Sequence, residues 1–117
     1  MTPEELKGRT KKFALRVLKL YNNLPKGKDA GVLGLQLLRA ATSVGANYRA
    51  ACRARSNADF ISKITVVEAE ADECAYWIEL FIESGIIKKK LLESLLKEAN
   101  ELTAIFTASA STAKRKK

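Results

Sequence analysis

The stretch NADFISKITVVEAEADECAYWIELFIES, residues 57–84, decides the fold because its apolar residues recur at helical spacing. These residues, which step by four and three along the chain, are Phe60, Ile64, Val67, Ala71, Cys74, Ile78 and Phe81. Ser56, just before the stretch, is a favourable N-cap, and Gly85, just after it, is a favourable helix end. The pattern predicts one long helix that turns a continuous apolar face toward a core.

The same helical period continues on both sides of this stretch. Helix one starts after Thr2, with Pro3 in its first position, and ends near Pro25, while Asp29 is the predicted cap of helix two. Helix two carries two adjacent rows, which are Leu33, Leu37, Ala40, Val44 and Ala51, and Gly34, Leu38, Ala41, Gly45, Tyr48 and Cys52. Helix four carries Leu92, Leu95, Ala99, Leu102 and Phe106. We therefore predict an all-α fold, a four-helix bundle over residues 1–107, followed by a basic, disordered tail over residues 108–117.

Length and composition narrow the class of protein. A chain of 117 residues suits a single domain with one continuous core. Hydrophobic residues make up 47% of it, but charges interrupt them well before the ~20 apolar residues that a membrane span needs. The start MTPEELKGRT has no signal-peptide core, and neither Cys52 nor Cys74 has metal-ligand spacing. We expect a soluble, cytoplasmic protein with reduced, core-facing thiols and no membrane partner.

The charge is divided unevenly along the chain. Residues 1–55 hold 12 Lys and Arg against 3 Asp and Glu, a net +9, whereas residues 56–100 hold 5 against 9, a net −4. Residues 101–117 hold 4 against 1, a net +3. A basic first half beside an acidic third segment indicates a nucleic-acid footprint, complementary faces within an oligomer, or both; the alternative is an ordinary solvated surface.

Two features of the helices indicate close packing or subunit contacts. Gly45 shares a row with Gly34 and Ala41, and such small residues let a second helix approach closely. Asn47 lies where leucine would be expected, so it either fixes the register of an oligomer or bonds within its own subunit. Helix three has a second face of alternating apolar and acidic residues, which is an edge of the same core or a subunit contact. The predicted interface residues are Asn47, Glu70, Glu73, Trp77 and Leu80.

The residues that usually carry catalysis are missing. Histidine is absent, which excludes histidine-based triads and imidazole metal ligands. No phosphate-binding loop, nucleophile elbow or dinucleotide glycine pattern occurs. The acidic residues Glu68, Glu70, Asp72 and Glu73 diverge around a helix, so a solvated or interface face explains them better than a Mg²⁺ site. We predict no enzyme activity, no catalytic residue, no metal and no cofactor.

Three segments resemble a known family. They are FALRVLKLYNNLPKG, LLRAATSVGANYRAACRARS and DFISKITVVEAEADECAYWIELFIESGII, which together span about residues 13–87. Their most specific parts are Ser-Val-Gly-Ala-Asn-Tyr at 43–48, Ala-Asp-Glu at 71–73, and Tyr76-Trp77 ahead of Glu79-Leu80. They resemble the four helix bundle proteins, several of which are encoded by intervening sequences in bacterial large-subunit ribosomal RNA genes. A more distant resemblance is to the accessory protein of diversity-generating retroelements, a basic pentameric ring that works with a reverse transcriptase and nucleic acid.

The resemblance implies an antiparallel, up-down-up-down bundle and a ring-shaped homo-oligomer, with pentamers among the relatives. It brings no catalytic residues. Together with the basic first half, it favours a protein that binds RNA or DNA through phosphate contacts, without strong sequence specificity. The predicted nucleic-acid-binding residues are Arg9, Lys12, Arg16 and Lys19 in one stripe, and Arg49, Arg53 and Arg55 near the end of helix two. The alternative is a protein-binding scaffold whose charges serve assembly, in which the basic helices meet the acidic helix three of a neighbour.

Overall fold

The computed structural model describes residues 1–116, and its regular structure in that range consists of four α-helices. They are α1 (Pro3–Asn22), α2 (Lys28–Cys52), α3 (Asn57–Glu83) and α4 (Lys89–Arg115). Each helix packs against the next, and α1 also packs against α4, so α1 and α3 lie diagonally across the bundle. This arrangement confirms the predicted all-α, antiparallel four-helix bundle. None of the described helices is both long and apolar enough to span a bilayer.

The N-terminal caps explain where the helices begin. Thr2 Oγ1 accepts from the backbone N–H of Glu5 at 3.1 Å, and Glu5 Oε1 accepts from the N–H of Thr2 at 2.9 Å. Ser56 Oγ likewise accepts from the N–H of Asp59 at 3.0 Å, as predicted. Asp29 is not the N-cap of α2, contrary to the prediction. Gly27 occupies that position, and its φ of 150° favours glycine. Asp29 instead lies in the first turn, where a carboxylate favours the positive end of the helix dipole.

The predicted apolar row of α3 forms the centre of the core. Six of its seven residues are buried, and the seventh, Phe60, is half-buried at the end of the bundle. Phe13 of α1 and Phe106 of α4 are almost completely buried in the same core. In the first predicted row of α2, Leu33 is only partly buried. The other residues of that row are buried, namely Leu37, Ala40, Val44 and Ala51.

The small residues of α2 face α1 and the loop after it, and the predicted close approach occurs at Gly34. A Cβ atom placed on Gly34 would lie 2.3 Å from Leu24 Cδ1 and 3.2 Å from Tyr21 Cδ1, so that position requires glycine unless these side chains move. A Cβ atom on Gly45 would lie 3.4 Å from Thr10 Oγ1, which is an ordinary contact. The seam is therefore tightest near the α1–α2 loop.

The predicted disordered tail differs from the structure. α4 continues through Arg115, and Ala110 and Ala113 are buried at 3% and 5% exposure. Asn57 Nδ2 at the start of α3 donates to the backbone oxygen of Ala113 at 2.8 Å, which fixes the last turn. The four-three apolar row continues beyond Phe106, but its members there are alanines, which have high helix propensity and low hydrophobicity. Lys117 lies outside the described residues.

Candidate nucleic-acid and subunit surfaces

The structure divides the predicted basic stripe of α1. Arg9 is held by α4: its Nε donates to Glu98 Oε2 at 2.7 Å, and its Nη2 donates to Glu98 Oε1 at 2.7 Å and to Glu101 Oε1 at 2.6 Å. These hydrogen bonds raise the pKa of Arg9 and hold the pKa of Glu98 below its usual value. Arg9 is therefore a bridge between α1 and α4, and its charge is compensated within the chain.

The other three residues of the stripe are less constrained. Arg16 Nη2 donates to Ser94 Oγ at 3.0 Å, a contact that leaves the charge uncompensated. Lys12 and Lys19 are exposed, and neither forms an ion pair within residues 1–116. The stripe thus offers three positive charges that form no ion pair within residues 1–116.

The three predicted arginines near the end of α2 are all exposed. Arg49 lines a shallow open groove of about 400 Å³ together with Lys7, Lys11 and Glu4 of α1. Arg53 and Arg55 lie in the turn between α2 and α3. The sequence therefore placed these residues correctly at one end of the bundle.

Sequence reasoning missed the second half of this basic surface. Because Ala113 bonds to Asn57, the residues that follow it lie at the same end of the bundle as the α2–α3 turn. We call this surface the basic end; it consists of Arg53, Arg55, Lys114, Arg115 and Lys116. All five are exposed, and in the described chain none of them forms an ion pair. The nearby Asp59 is already bonded to Lys63 at 2.6 Å, which lowers the pKa of its carboxyl group.

The signal for this surface was present in the alanine spacing of α4. Ala99, Ala110 and Ala113 continue the helical row that begins with the leucines, and all three are buried. Beyond Phe106 the sequence pattern predicts a disordered tail, and the lysines and arginine that follow Ala113 are assigned to it. Extending that row would have placed them at the end of a helix.

The predicted interface residues make contacts within their own chain. Asn47 Nδ2 donates to Glu70 Oε1 at 2.8 Å, which is the second of the two alternatives for this asparagine. Glu73 Oε2 accepts from Arg39 Nη2 at 3.0 Å and from Trp77 Nε1 at 2.9 Å. Trp77 is half-buried against the core, as an edge of the bundle would be. Leu80 is also half-buried, and a role for these five residues in a subunit contact stays a prediction.

The remaining polar residues do not converge. Within residues 1–116, no three Cys, Asp or Glu side chains are arranged to hold a metal ion. In the acidic cluster, Glu68 accepts from Thr107 at 2.5 Å while Glu70 faces α2, so neighbouring carboxylates point to different helices. Cys74 is buried, as predicted, and burial raises the pKa of its thiol to about 12, which keeps it protonated and unreactive at neutral pH. Cys52 is exposed, so the prediction that its thiol faces the core is wrong.

Comparison with known proteins agrees with this architecture. The chain matches the family described as 23S rRNA-intervening sequence protein over residues 5–108. It is also similar to a crystal structure from Bacteroides thetaiotaomicron, described as a protein of unknown function from the S23 ribosomal protein family. The two are 34% identical, the alignment covers 95% of this chain and 99% of the other, and the TM-score is 0.86. No curated protein matches the sequence. The chain therefore belongs to the family of 23S rRNA-intervening sequence proteins.

Proposed function

We propose that this protein is a non-catalytic, homo-oligomeric bundle that binds RNA or DNA through its basic end, without strong sequence specificity. The observation that carries the proposal is the grouping of five exposed, unpaired Lys and Arg residues where the α2–α3 turn meets the last turn of α4. Such side chains bind phosphate oxygens, which every nucleic acid presents regardless of sequence. The resemblance to proteins encoded within ribosomal RNA genes is consistent with an RNA ligand.

The chemistry of the basic end supports phosphate contacts rather than base recognition. Bases are usually held by stacking on exposed aromatic rings. The aromatic side chains near this end are Tyr48, which is buried, and Phe60, which is half-buried. The one largely exposed aromatic residue in the described chain, Tyr76, lies on an acidic face of α3. Affinity should therefore come mainly from charge and should be similar for unrelated sequences.

The basic end is a stronger candidate than the stripe on α1. Arg9 in that stripe is neutralised by Glu98 and Glu101, whereas the charges of the basic end have no such partners among residues 1–116. We therefore expect Arg16 and Arg49 to add to binding but not to dominate it.

A protein-binding scaffold is the second candidate function. The observation that favours it is the amount of charge compensated within the chain, since Arg9 and Arg39 both pair with carboxylates of other helices. If the remaining charges served assembly, little positive surface would remain for phosphate. The two functions differ in whether the intact protein binds nucleic acid at all.

Salt dependence of binding separates the two candidates. We would measure the affinity of the intact protein for two unrelated single-stranded RNAs and two unrelated DNA duplexes over a series of salt concentrations. For each phosphate neutralised, the slope of log affinity against log salt should steepen by about 0.9 on duplex DNA and about 0.7 on a single strand. The proposal predicts similar affinities within each pair and a steep slope. Lack of binding at low salt would overturn it and favour the scaffold.

A further inference from the structure

The outward side of α1 is both basic and apolar. Leu15 is 59% exposed and Leu18 is 41% exposed, which is unusual for leucines in a helix with a buried face. Lysines surround them, and in the described residues none of these lysines is ion-paired. We define the α1 outer face as Lys11, Lys12, Leu15, Leu18 and Lys19.

The outward side of α3 is acidic and also has an apolar centre. We define the α3 outer face as Asp72, Tyr76, Glu79 and Glu83, which recur at steps of four, three and four. Tyr76 is 53% exposed, and its ring packs edge to face with that of Trp77, with the ring centroids 5.0 Å apart, so the tyrosine rests on the edge of the core. Across residues 1–116, no basic side chain pairs with any of the three carboxylates.

The two faces lie on opposite sides of the bundle but at the same height. α1 and α3 are diagonal neighbours that run in the same direction, because one helix of opposite direction separates them in the chain. Thr10 of α1 and Glu70 of α3 contact α2 within two residues of each other, at Gly45 and Asn47. Val17 of α1 and Phe81 of α3 line the same small cleft. The basic segment of α1 is therefore level with the acidic segment of α3.

At matched heights the chemistry of the two faces is complementary. Along α1 the order is base, apolar, base, and along α3 it is acid, apolar, acid. The residues that correspond most nearly in height are Lys11, Leu15 and Lys19 on α1 and Asp72, Tyr76 and Glu83 on α3. A second copy moved sideways, without rotation end over end, brings Lys11 toward Asp72, Leu15 toward Tyr76 and Lys19 toward Glu83.

We propose that the α1 outer face of one copy binds the α3 outer face of a second copy, head to tail. The inference rests on the self-association in the proposed function and names the surfaces that carry it. The partner is a second copy of this chain, because one chain carries both the α1 outer face and the α3 outer face, in the same order and at the same height. Such a contact is heterologous, because it joins two different faces. A row of copies therefore keeps one unbound face at each end, and the assembly closes only if successive copies rotate into a ring.

This contact places the nucleic-acid surface on one side of the assembly. Copies related by a head-to-tail contact point in the same direction, so their basic ends gather at the same rim. Several weak phosphate sites then act on one strand with a high effective concentration. The contact also lies beside Trp77, one of the predicted interface residues. The indole N–H of Trp77 already donates to Glu73 within the chain.

Charge reversal tests the contact. The first variant reverses the α1 outer face with Lys11→Glu, Lys12→Glu and Lys19→Glu, and the second reverses the α3 outer face with Asp72→Lys, Glu79→Lys and Glu83→Lys. By sedimentation at low salt, each variant alone should fall to the mass of one chain, 12.9 kDa. The chain that carries all six changes should recover the parent mass, and an equimolar mixture of the two variants should form mixed particles.

A control variant and a separate readout keep the result interpretable. Lys26→Glu, Lys28→Glu and Lys90→Glu make the same charge change as the first variant at exposed positions away from both faces, and should leave the mass unchanged. Leu15→Gln adds a milder test, which should also lower the mass. Circular dichroism verifies that every variant remains helical. A monomeric parent, or reversal variants that keep the parent mass, would overturn this inference; nucleic-acid binding, measured separately, reports on the proposed function.

Discussion

Arg9 shows why one side chain can have a different role in the folded protein from the one its sequence position suggests. In the sequence it belongs to a helical stripe of four bases, which is typical of a phosphate-binding surface. In the structure Glu98 and Glu101 on α4 of the same chain hold it by three short hydrogen bonds. Those partners are more than 85 residues away in the chain, so helical periodicity could not have revealed them.

Replacing Glu98 tests this bridge. Glu98→Gln should lower the free energy of unfolding by about 1–2 kcal/mol at neutral pH, because a partly buried Arg9 loses a charged partner. The folded pKa of Glu98 is depressed, so its contribution is present above its usual pKa and is lost as the pH falls through the folded value. The difference between parent and variant should therefore shrink in acid.

Urea unfolding at neutral and acidic pH measures that difference. Glu93→Gln is the matched control, since Glu93 is exposed on the same helix and forms no ion pair in the described chain. Equal stability of the two variants at neutral pH would show that the ion pair between Arg9 and Glu98 adds nothing to the free energy of unfolding.

Two helical glycines give a second test at the scale of single residues. Gly8→Ala should stabilise the bundle by about 0.5–1 kcal/mol, because the position is exposed and a Cβ atom there meets nothing within 4 Å. Gly34→Ala should not stabilise the bundle in this way, because its Cβ atom would lie 2.3 Å from Leu24. Thermal unfolding of both variants gives the comparison, and a stabilising Gly34→Ala would show that the α1–α2 seam is loose.

At the scale of whole helices, apolar period predicted most of the fold. The α3 row was almost entirely buried, and the caps at Thr2 and Ser56 formed as their residue types indicated. The cap at Asp29 was wrong because Gly27, two residues earlier, can adopt a positive φ that lets the helix begin sooner. Local signals therefore identified the helices well but placed one boundary incorrectly.

The end of α4 was missed for a different reason. Hydrophobic patterns depend on large apolar side chains, and beyond Phe106 the buried positions are Ala110 and Ala113. Alanine fits where a helix packs closely, and that requirement is set by the neighbouring helices rather than by the local sequence. Only the packed structure showed that the last turn lies against the start of α3.

Hydrogen exchange tests this end of α4. Amides of residues 108–115 should be protected in the parent protein, because they are helical and packed. Ala110→Asp should remove the protection, since it buries a carboxylate, whereas Ser111→Asp at the exposed neighbouring position should preserve it. Exchange at unfolded rates in the parent would restore the prediction of a disordered tail.

The second face of α3 offers a test between packing and assembly. Trp77→Ala should lower the free energy of unfolding by about 2 kcal/mol, because the ring packs on the core and bonds to Glu73. The mass of the particle should stay that of the parent. A lower mass with unchanged stability would instead support the interface predicted from sequence.

At the scale of the whole molecule, the division of charge was visible in the sequence but its arrangement was not. The net +9 of residues 1–55 suggested that helices one and two carry the nucleic-acid surface. Folding changes this picture, because acids of α4 compensate part of α1 and the end of α4 adds three bases beside the α2–α3 turn. Charge counts along a chain cannot show which residues meet across helices.

The central claim, that the basic end binds nucleic acid, is tested most directly by two variants of equal charge. The basic-end variant carries Arg53→Gln, Arg55→Gln, Lys114→Gln and Arg115→Gln, and the control carries Lys26→Gln, Lys28→Gln, Lys89→Gln and Lys90→Gln at the opposite end of the bundle. On a DNA duplex, the basic-end variant should bind more weakly and lose up to about 3.6 from the magnitude of the salt slope, because each phosphate contact contributes about 0.9. The control should keep most of the parent's affinity and slope. Equal losses in the two variants would contradict the account, since net charge alone would then explain the binding.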